Sequence, residues 1–249
     1  MSISTPLSTV RQVPLAVPRS DSPATPRLCV FSHAGGSVAD FRSWTREMVG
    51  MDVDVIDLPG RSSRLHEDPI DDMDTLAAAV AQNVSIGSNV MFLGHSFGAT
   101  LALATCFQAR ELGLSMPATL AVSAARPPHL EHGLTALLDS SDTELLRGLN
   151  EQFDTVPAAI LADPDVASVL ARAVRADLTA LAHFVPRSKD PLDLRLVILE
   201  PDDDNVTGEM AEWSQYATSV EHHVVPGGHF YIRNTDAVGY VFDLLRSHI

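Results

Sequence analysis

Three residues of this sequence have the types and positions that nucleophilic catalysis by a serine requires. Ser96 lies within Gly94–Gly98, after an apolar run and before a segment of helical composition. Asp204 and His229 follow the last two predicted strands of the chain. A serine hydroxyl becomes an effective nucleophile when a histidine takes its proton and an acid orients the imidazole. We therefore predict that Ser96 is the nucleophile, His229 the base and Asp204 the acid.

The segment around Ser96 has the pattern Gly-x-Ser-x-Gly. This pattern indicates a sharp turn between a buried strand and a helix, which lifts the serine hydroxyl clear of the sheet. Glycines are needed there because the backbone is strained and neighbouring elements pass close to it. The oxyanion of a tetrahedral intermediate would need backbone N–H donors from the residue after the serine and from the loop after the first strand. Those residues are Phe97 and Ala34, the second within His33-Ala34-Gly35-Gly36.

The choice of the acid leaves an alternative open. Asp202, Asp203 and Asp204 are adjacent, and only one of them needs to point inward. We predict Asp204. Of the other histidines, we expect His95 to pack and bond locally, whereas His33 would either line the pocket or be a bonded turn residue.

Short apolar runs alternate with segments of helical period along most of the chain. This alternation predicts an α/β fold, in which a mostly parallel central sheet is covered by helices on both faces. Helices are predicted to begin near Asp40, Asp74, Ser141, Asp163 and Asn234. The predicted strands are 28–31, 52–58, the apolar run 90–93 before Gly94, 119–123, 194–199 and 221–225.

Strands and helices do not alternate in two regions of the chain. Residues 1–26 are rich in Pro, Ser and Thr, which predicts a flexible N-terminal extension before a single domain at 27–249. Residues 127–191 contain predicted helices and no predicted strand. They would be either two core helices or, as we prefer, a helical lid inserted over the site.

Composition excludes several classes of function. The net charge of −15 argues against nucleic-acid binding, which requires a basic face. No apolar run approaches the ~18 residues of a membrane span, and the N-terminus lacks the pattern of a secretory signal. The two cysteines have no metal-ligand or disulfide spacing. We expect a cytoplasmic protein that uses no metal and no cofactor.

Several motifs together resemble one family of enzymes. In chain order, the segments that carry this resemblance are 31–37, 58–61, 94–98, 161–164, 175–177 and 226–230, which read FSHAGGS, LPGR, GHSFG, LADP, RAD and PGGHF. As a set they resemble the type II (stand-alone) thioesterases of polyketide and nonribosomal peptide assembly lines, over about residues 27–249. The sequence departs from this family at Glu200-Pro201, where glycines usually precede the aspartate.

The resemblance implies an α/β-hydrolase fold with a helical lid. It implies hydrolysis of acyl groups from the phosphopantetheine thiol of an acyl or peptidyl carrier protein, which unloads wrongly charged carriers. Ser96, His229 and Asp204 would be the triad, with Ala34 and Phe97 as oxyanion donors. We expect a monomer that binds its carrier without a membrane or nucleic acid.

Three other functions remain open from the sequence. An acyltransferase would pass the acyl group from Ser96 to an acceptor other than water. A non-catalytic binding protein on a hydrolase scaffold usually lacks a triad residue, and all three are present here. A small-molecule esterase or lipase is disfavoured by the motifs around His33 and His229.

Overall fold

The fold is built on one sheet of seven strands. The computed structural model describes residues 11–14, 25–46, 50–84, 86–133, 137–186, 188 and 190–248. The strands are β1 (Arg11–Pro14), β2 (Arg27–Phe31), β3 (Asp52–Asp57), β4 (Val90–His95), β5 (Thr119–Ser123), β6 (Leu192–Pro201) and β7 (Ala217–Val225). Their order across the sheet is β1-β3-β2-β4-β5-β6-β7, and every pair except β1·β3 is parallel. The predicted mostly parallel sheet is therefore confirmed.

Helices cover both faces of this sheet. The α-helices are α1 (Met73–Asn83), α2 (Phe97–Glu111), α3 (Asp142–Phe153), α4 (Ala158–Leu161), α5 (Pro164–His183) and α6 (Thr235–Arg246). Side chains alternate along the central strands, so that Phe92 packs with α1 and α2 whereas Met91 packs with α6 on the opposite face. Burial on both faces explains why these strands read as continuous apolar runs.

The edge strand β1 lies within the segment that the sequence predicts as a flexible extension. It pairs antiparallel with β3, from Arg11 opposite Asp57 to Pro14 opposite Asp54. An edge position suits Pro14, which has no backbone N–H to donate to a second neighbour. Residues 1–10 and 15–24 of the predicted extension lie outside the described residues.

In the described part of the connection between β5 and β6, the α-helices are α3, α4 and α5. The predicted capping box at the start of α3 is present, since Ser141 and Glu144 cap each other's backbone N–H. Asp163 caps α5, which begins with Pro164 as predicted. The described residues of the 127–191 region contain no strand. An apolar cluster of their own joins the three helices and includes Leu146, Leu149 and Val174.

Two elements differ from the sequence predictions. The segment predicted as an α-helix from Asp40 is a 3-10 helix over Val38–Arg46, and residues 47–49 lie outside the described part of the chain. Its Phe41 and Trp44 are buried, and a spacing of three suits a 3-10 helix as well as an α-helix. Strand β7 begins at Ala217, four residues before the predicted start. Among the described residues, no helix is long and apolar enough to cross a membrane.

Candidate active site

Ser96 occupies a strained turn between β4 and α2. Its φ of 56° and ψ of −122° are rarely adopted by a residue with a side chain. The turn is held by a 2.8 Å hydrogen bond that the Ser96 N–H donates to the carbonyl of Ser123 on β5. A methyl group on Gly94 would overlap the carbonyl oxygen of Gly98, and one on Gly98 would overlap the carbonyl oxygen of Phe31. Both glycines of the motif are thus required by close backbone contacts.

The loops after β6 and β7 bring Asp204 and His229 together. The Asp204 Oδ2 atom lies 2.7 Å from the Nδ1 atom of His229, and the two side chains are 2 % and 7 % exposed. The other oxygen of Asp204 accepts the N–H of Asn205 at 2.6 Å. Asp202 instead accepts the N–H of Gly227 at 2.8 Å, and Asp203 is exposed. Among the three adjacent aspartates, Asp204 is the one placed to orient the imidazole.

Ser96 and His229 line the same cavity. Its volume is about 290 Å³. It is lined by Phe97, the residue after the serine, and by residues between β5 and β6 that include Ala125, Gln152 and Phe153. A thioester carbonyl held in this cavity would have the serine and the imidazole within the same enclosed space.

The two predicted oxyanion donors line different cavities, Phe97 that of Ser96 and Ala34 a second one. Phe97 is the first residue of α2, where backbone N–H groups have no partner within the helix. Ala34 follows β2 in a turn closed by a 2.9 Å hydrogen bond from Gly36 N–H to the carbonyl of His33. Ala34 lines a second cavity, of about 520 Å³, that extends between α3 and α5. The close approach of Gly98 to Phe31 brings this loop over the start of α2.

Two buried histidines, His95 and His33, lie near His229. Burial lowers the pKa of His95 well below its ordinary value, and it lowers that of His33 to about 4. The Nδ1 atom of His95 lies 2.9 Å from the Ser123 hydroxyl, which lies 2.7 Å from the Tyr231 hydroxyl. His95 therefore bonds locally, as expected. His33 lines the second cavity, with its Nδ1 atom buried and unpartnered among the described residues. Both imidazoles are neutral at pH 7.

Phe153 is a neighbour of His229 that the sequence analysis did not identify. It is the last residue of α3, and its ring lies over the imidazole with 4.2 Å between centroids and 33° between planes. The helix ends directly after it, because Asp154 adopts a left-handed conformation. No local pattern distinguishes Phe153 from other apolar residues of α3, since its partner belongs to a distant loop of the chain. It places the end of this helix directly on the candidate base.

Glu200 contributes contacts that close the loop that carries Asp204. The side chain is 5 % exposed and accepts the N–H of Gly208, which closes the loop at its far end. Its other oxygen lies 2.5 Å from the Nε2 atom of His222. Inside the loop, Thr207 donates its hydroxyl to the carbonyl of Pro201 at 2.8 Å. Side-chain contacts therefore fix the shape of the Asp204 loop.

The described residues contain no group of three or more His, Cys, Asp or Glu side chains arranged to hold a metal ion. Cys29 and Cys106 are buried and form no disulfide. Burial raises the pKa of the Cys106 thiol, which makes it a poor nucleophile at neutral pH.

Known proteins share both this sequence pattern and this fold. The family model of the thioesterase domain matches residues 26–249. The probable anguibactin biosynthesis thioesterase AngT of Vibrio anguillarum is 29 % identical over 217 residues, which are 82 % of this chain and 84 % of that protein.

Solved structures give the same result. RedJ, a thioesterase from the prodiginine pathway of Streptomyces coelicolor, is 31 % identical with a TM-score of 0.84, covering 95 % of both chains. YbtT, a type II thioesterase from the yersiniabactin NRPS/PKS pathway, is 26 % identical with a TM-score of 0.82, covering 94 % of this chain and 96 % of YbtT. The predicted α/β-hydrolase fold and the predicted family resemblance are both confirmed by these likenesses.

Proposed function

Since this chain belongs to the thioesterase family, we propose that it hydrolyses acyl thioesters on the phosphopantetheine arms of carrier proteins. It serves a polyketide or nonribosomal peptide assembly line, in which it unloads wrongly charged carriers. The names of similar proteins support this assignment, because they include biosynthetic thioesterases of such pathways. We expect this enzyme in the cytoplasm, because the sequence has only two cysteines and so no disulfide framework.

The observation that carries the proposal is the arrangement of three side chains around one cavity. Asp204 contacts His229 at 2.7 Å, and His229 shares its cavity with Ser96. The contact is buried, so the carboxylate stabilises the imidazolium that forms during catalysis more strongly than it would in water. A serine, a histidine and an aspartate in these positions support acyl transfer through a covalent intermediate.

The reaction has two halves. In the first, the Nε2 atom of His229 takes the proton of Ser96, and the serine oxygen attacks the thioester carbonyl. Collapse of the tetrahedral intermediate breaks the C–S bond, and the thiol leaves with the proton that His229 returns. In the second half, His229 takes a proton from water, the resulting hydroxide attacks the acyl-Ser96 ester, and the free acid leaves as Ser96 is protonated again. The N–H groups of Ala34 and Phe97 hold the oxyanion in both halves.

The helices between β5 and β6 form the lid of this site. They supply Gln152 and Phe153 to the cavity of Ser96, and Leu149 and Val174 to the cavity beside Ala34. The lid shapes the space for the acyl chain and admits the phosphopantetheine arm, within the predicted bounds of residues 127–191. The carrier docks against apolar surface of this lid and a few arginines, because an acidic enzyme gains no long-range attraction from an acidic partner.

The proposal is tested by the release of free acid from a panel of acyl groups loaded on a carrier protein. We expect hydrolysis by the wild-type enzyme, loss of at least about a thousandfold in Ser96→Ala, and wild-type rates in Ser219→Ala. Ser219 is a suitable control because it is an exposed serine on β7. Rates should be higher on the carrier than on small thioester mimics.

Other outcomes identify the remaining candidates. An acyl-enzyme that forms but does not react with water, and that transfers its acyl group to an added thiol, alcohol or amine, would make the protein an acyltransferase. Equal rates on simple oxygen esters would make it a general esterase. Full activity in Ser96→Ala would overturn the assignment of the nucleophile.

A further inference from the structure

A buried ion pair connects α5 to the loop that carries Ala34. Asp177 of α5 is fully buried, and Arg61, in the loop after β3, is 5 % exposed. The guanidinium donates to both carboxylate oxygens, from Nη1 to Oδ2 at 2.7 Å and from Nη2 to Oδ1 at 2.8 Å. A pair with this geometry is bidentate and charge-assisted, which makes it directional as well as strong.

The same carboxylate accepts a third hydrogen bond, from the backbone. The N–H of Gly35 donates to Asp177 Oδ2 at 2.8 Å, across 142 positions of the chain. Gly35 has a φ of +70°, and the turn is closed by the hydrogen bond from Gly36 N–H to the carbonyl of His33. Such a turn, with a glycine of positive φ at its third position, is of type II. Gly35 N–H belongs to the central peptide of this turn, the one that reverses when a type II turn converts to type I.

Packing by α5 reinforces this contact. A methyl group on Gly35 would lie 2.5 Å from Cγ2 of Val174, which is three residues before Asp177 and so on the same side of the helix. The loop backbone is therefore pressed against α5 and bonded to it at the same residue. Ala34, the residue before Gly35, is the proposed oxyanion donor.

We propose that Asp177 is a positioning residue, which fixes the turn at His33–Gly36 so that the Ala34 N–H is directed at the oxyanion. This inference rests on the proposed function, since it assumes that Ala34 is an oxyanion donor. Arg61 has a matching role. An unpaired carboxylate beside the oxyanion would oppose the negative charge that develops there, and the guanidinium neutralises it. Because α5 belongs to the proposed lid, the pair also makes the oxyanion donor depend on the position of that helix.

Two double variants separate positioning from stability. Arg61→Met with Asp177→Asn removes both charges but keeps an oxygen that can accept Gly35 N–H. Arg61→Met with Asp177→Leu removes both charges and the acceptor, with a side chain of similar size. Neither variant leaves an uncompensated buried charge, which is the usual reason why breaking such a pair unfolds a protein. Melting temperatures check that both variants fold.

The measurements are kcat and KM for acyl-carrier hydrolysis and the dissociation constant of an alkyl boronic acid, which forms a tetrahedral adduct with the serine. We expect kcat of the Leu variant to be about 10- to 100-fold below that of the Asn variant, because displacing an oxyanion donor acts on the transition state. KM should differ by less than about threefold, and the boronate should bind more weakly by a factor similar to the loss in kcat.

A control variant tests an ion pair of the lid that does not touch the loop. Asp142→Ala removes the carboxylate that contacts Arg175 at 3.0 Å, and we expect this variant to keep wild-type kcat. If the Leu variant does not fold, Arg61→Met with Asp177→Ser replaces it, since a serine at this position is one bond too short to reach Gly35 N–H.

Equal kcat values and equal boronate affinities in the Asn variant and its Leu or Ser counterpart would overturn the inference. Ser96→Ala, measured alongside, separates this result from failure of the proposed function. Hydrolysis that persists in Ser96→Ala contradicts the proposed function itself. Hydrolysis that is lost in Ser96→Ala but equal in the double variants contradicts only the role of Asp177.

Discussion

The side chains of the candidate site make contacts that are stronger because they are buried. Asp204 meets His229 in a buried hydrogen bond of 2.7 Å, and the Phe153 ring covers the imidazole from the lid side. Asp202 accepts a hydrogen bond from the N–H of Gly227 instead, so Asp204 is the aspartate placed to orient the proposed base. In the proposed mechanism the chemistry depends on one carboxylate among three adjacent ones, so we expect substitutions of the three to have different effects.

Asp204→Asn should lower kcat by roughly 10³- to 10⁴-fold with a small change in KM, because the amide cannot stabilise the imidazolium and favours the wrong tautomer. Asp203→Asn should stay within about twofold of the wild type, since Asp203 is exposed. Steady-state kinetics on acyl-carrier substrate measures both. Comparable losses in the two variants, or none in Asp204→Asn, would contradict the role given to Asp204.

His33 gives the folded protein a specific sensitivity to acid. Burial, the largest cause, lowers its pKa from 6.5 to about 4, with the charge of Arg233 acting in the same direction and that of Asp40 opposing it. The unfolded chain then binds a proton near pH 6.5 that the folded protein does not bind until about pH 4. The contribution of His33 to the free energy of unfolding is therefore fully present above pH 6.5. It is lost as the pH falls towards 4, by about 3 kcal/mol in total.

The test is urea unfolding of wild type and His33→Gln between pH 7 and pH 4.5. The free energy of unfolding of the wild type should fall more steeply over this range than that of the variant. Parallel curves would show that His33 titrates normally in the folded protein.

Among the secondary-structure elements, the helices between β5 and β6 are the least tied to the sheet. Leu145, Leu146 and Leu149 of α3 pack within the cluster of these helices, separate from the two clusters that flank the sheet. The end of α5 is different, because Ala180 and Leu181 join the cluster that covers one face of the sheet. We therefore predict that the proposed lid opens at α3 while the end of α5 remains attached.

We predict that amide hydrogens of α3 exchange with solvent faster than those of β4 and of the last two turns of α5. Local openings expose segments with few contacts to the main core before the global transition does. Hydrogen exchange followed by mass spectrometry of peptic fragments measures this order. Equal protection of α3 and β4 would contradict an independently opening lid.

The sequence predicts those elements whose signals are local. The strand–turn–helix around Ser96 follows from an apolar run and two glycines, and the caps at Ser141 and Asp163 follow from residues three positions apart or fewer. The strand β1 has no comparable signal, because its four residues are ordered by pairing with the edge of β3. The contact between Asp177 and Gly35 spans 142 positions and depends on the packed fold.

The whole molecule carries a net charge of −15. Such an enzyme is repelled by an acidic carrier at distances up to the Debye length, about 30 Å at 0.01 M salt and about 8 Å at 0.15 M. We predict that kcat/KM for an acidic carrier substrate rises with added salt over this range. An uncharged small thioester serves as the control, since its encounter with the enzyme is not charge-dependent. A steep fall of kcat/KM with salt would instead indicate docking by attraction to a local basic surface.

Mass spectrometry of the enzyme during turnover shows directly whether Ser96 carries the acyl group. Enzyme mixed with acyl-carrier substrate is quenched in acid at short times and digested. We predict that the acyl mass appears on Ser96, and that the adduct decays as free acid accumulates. Free acid released while Ser96 stays unmodified, or an acyl group found on another residue, would contradict it.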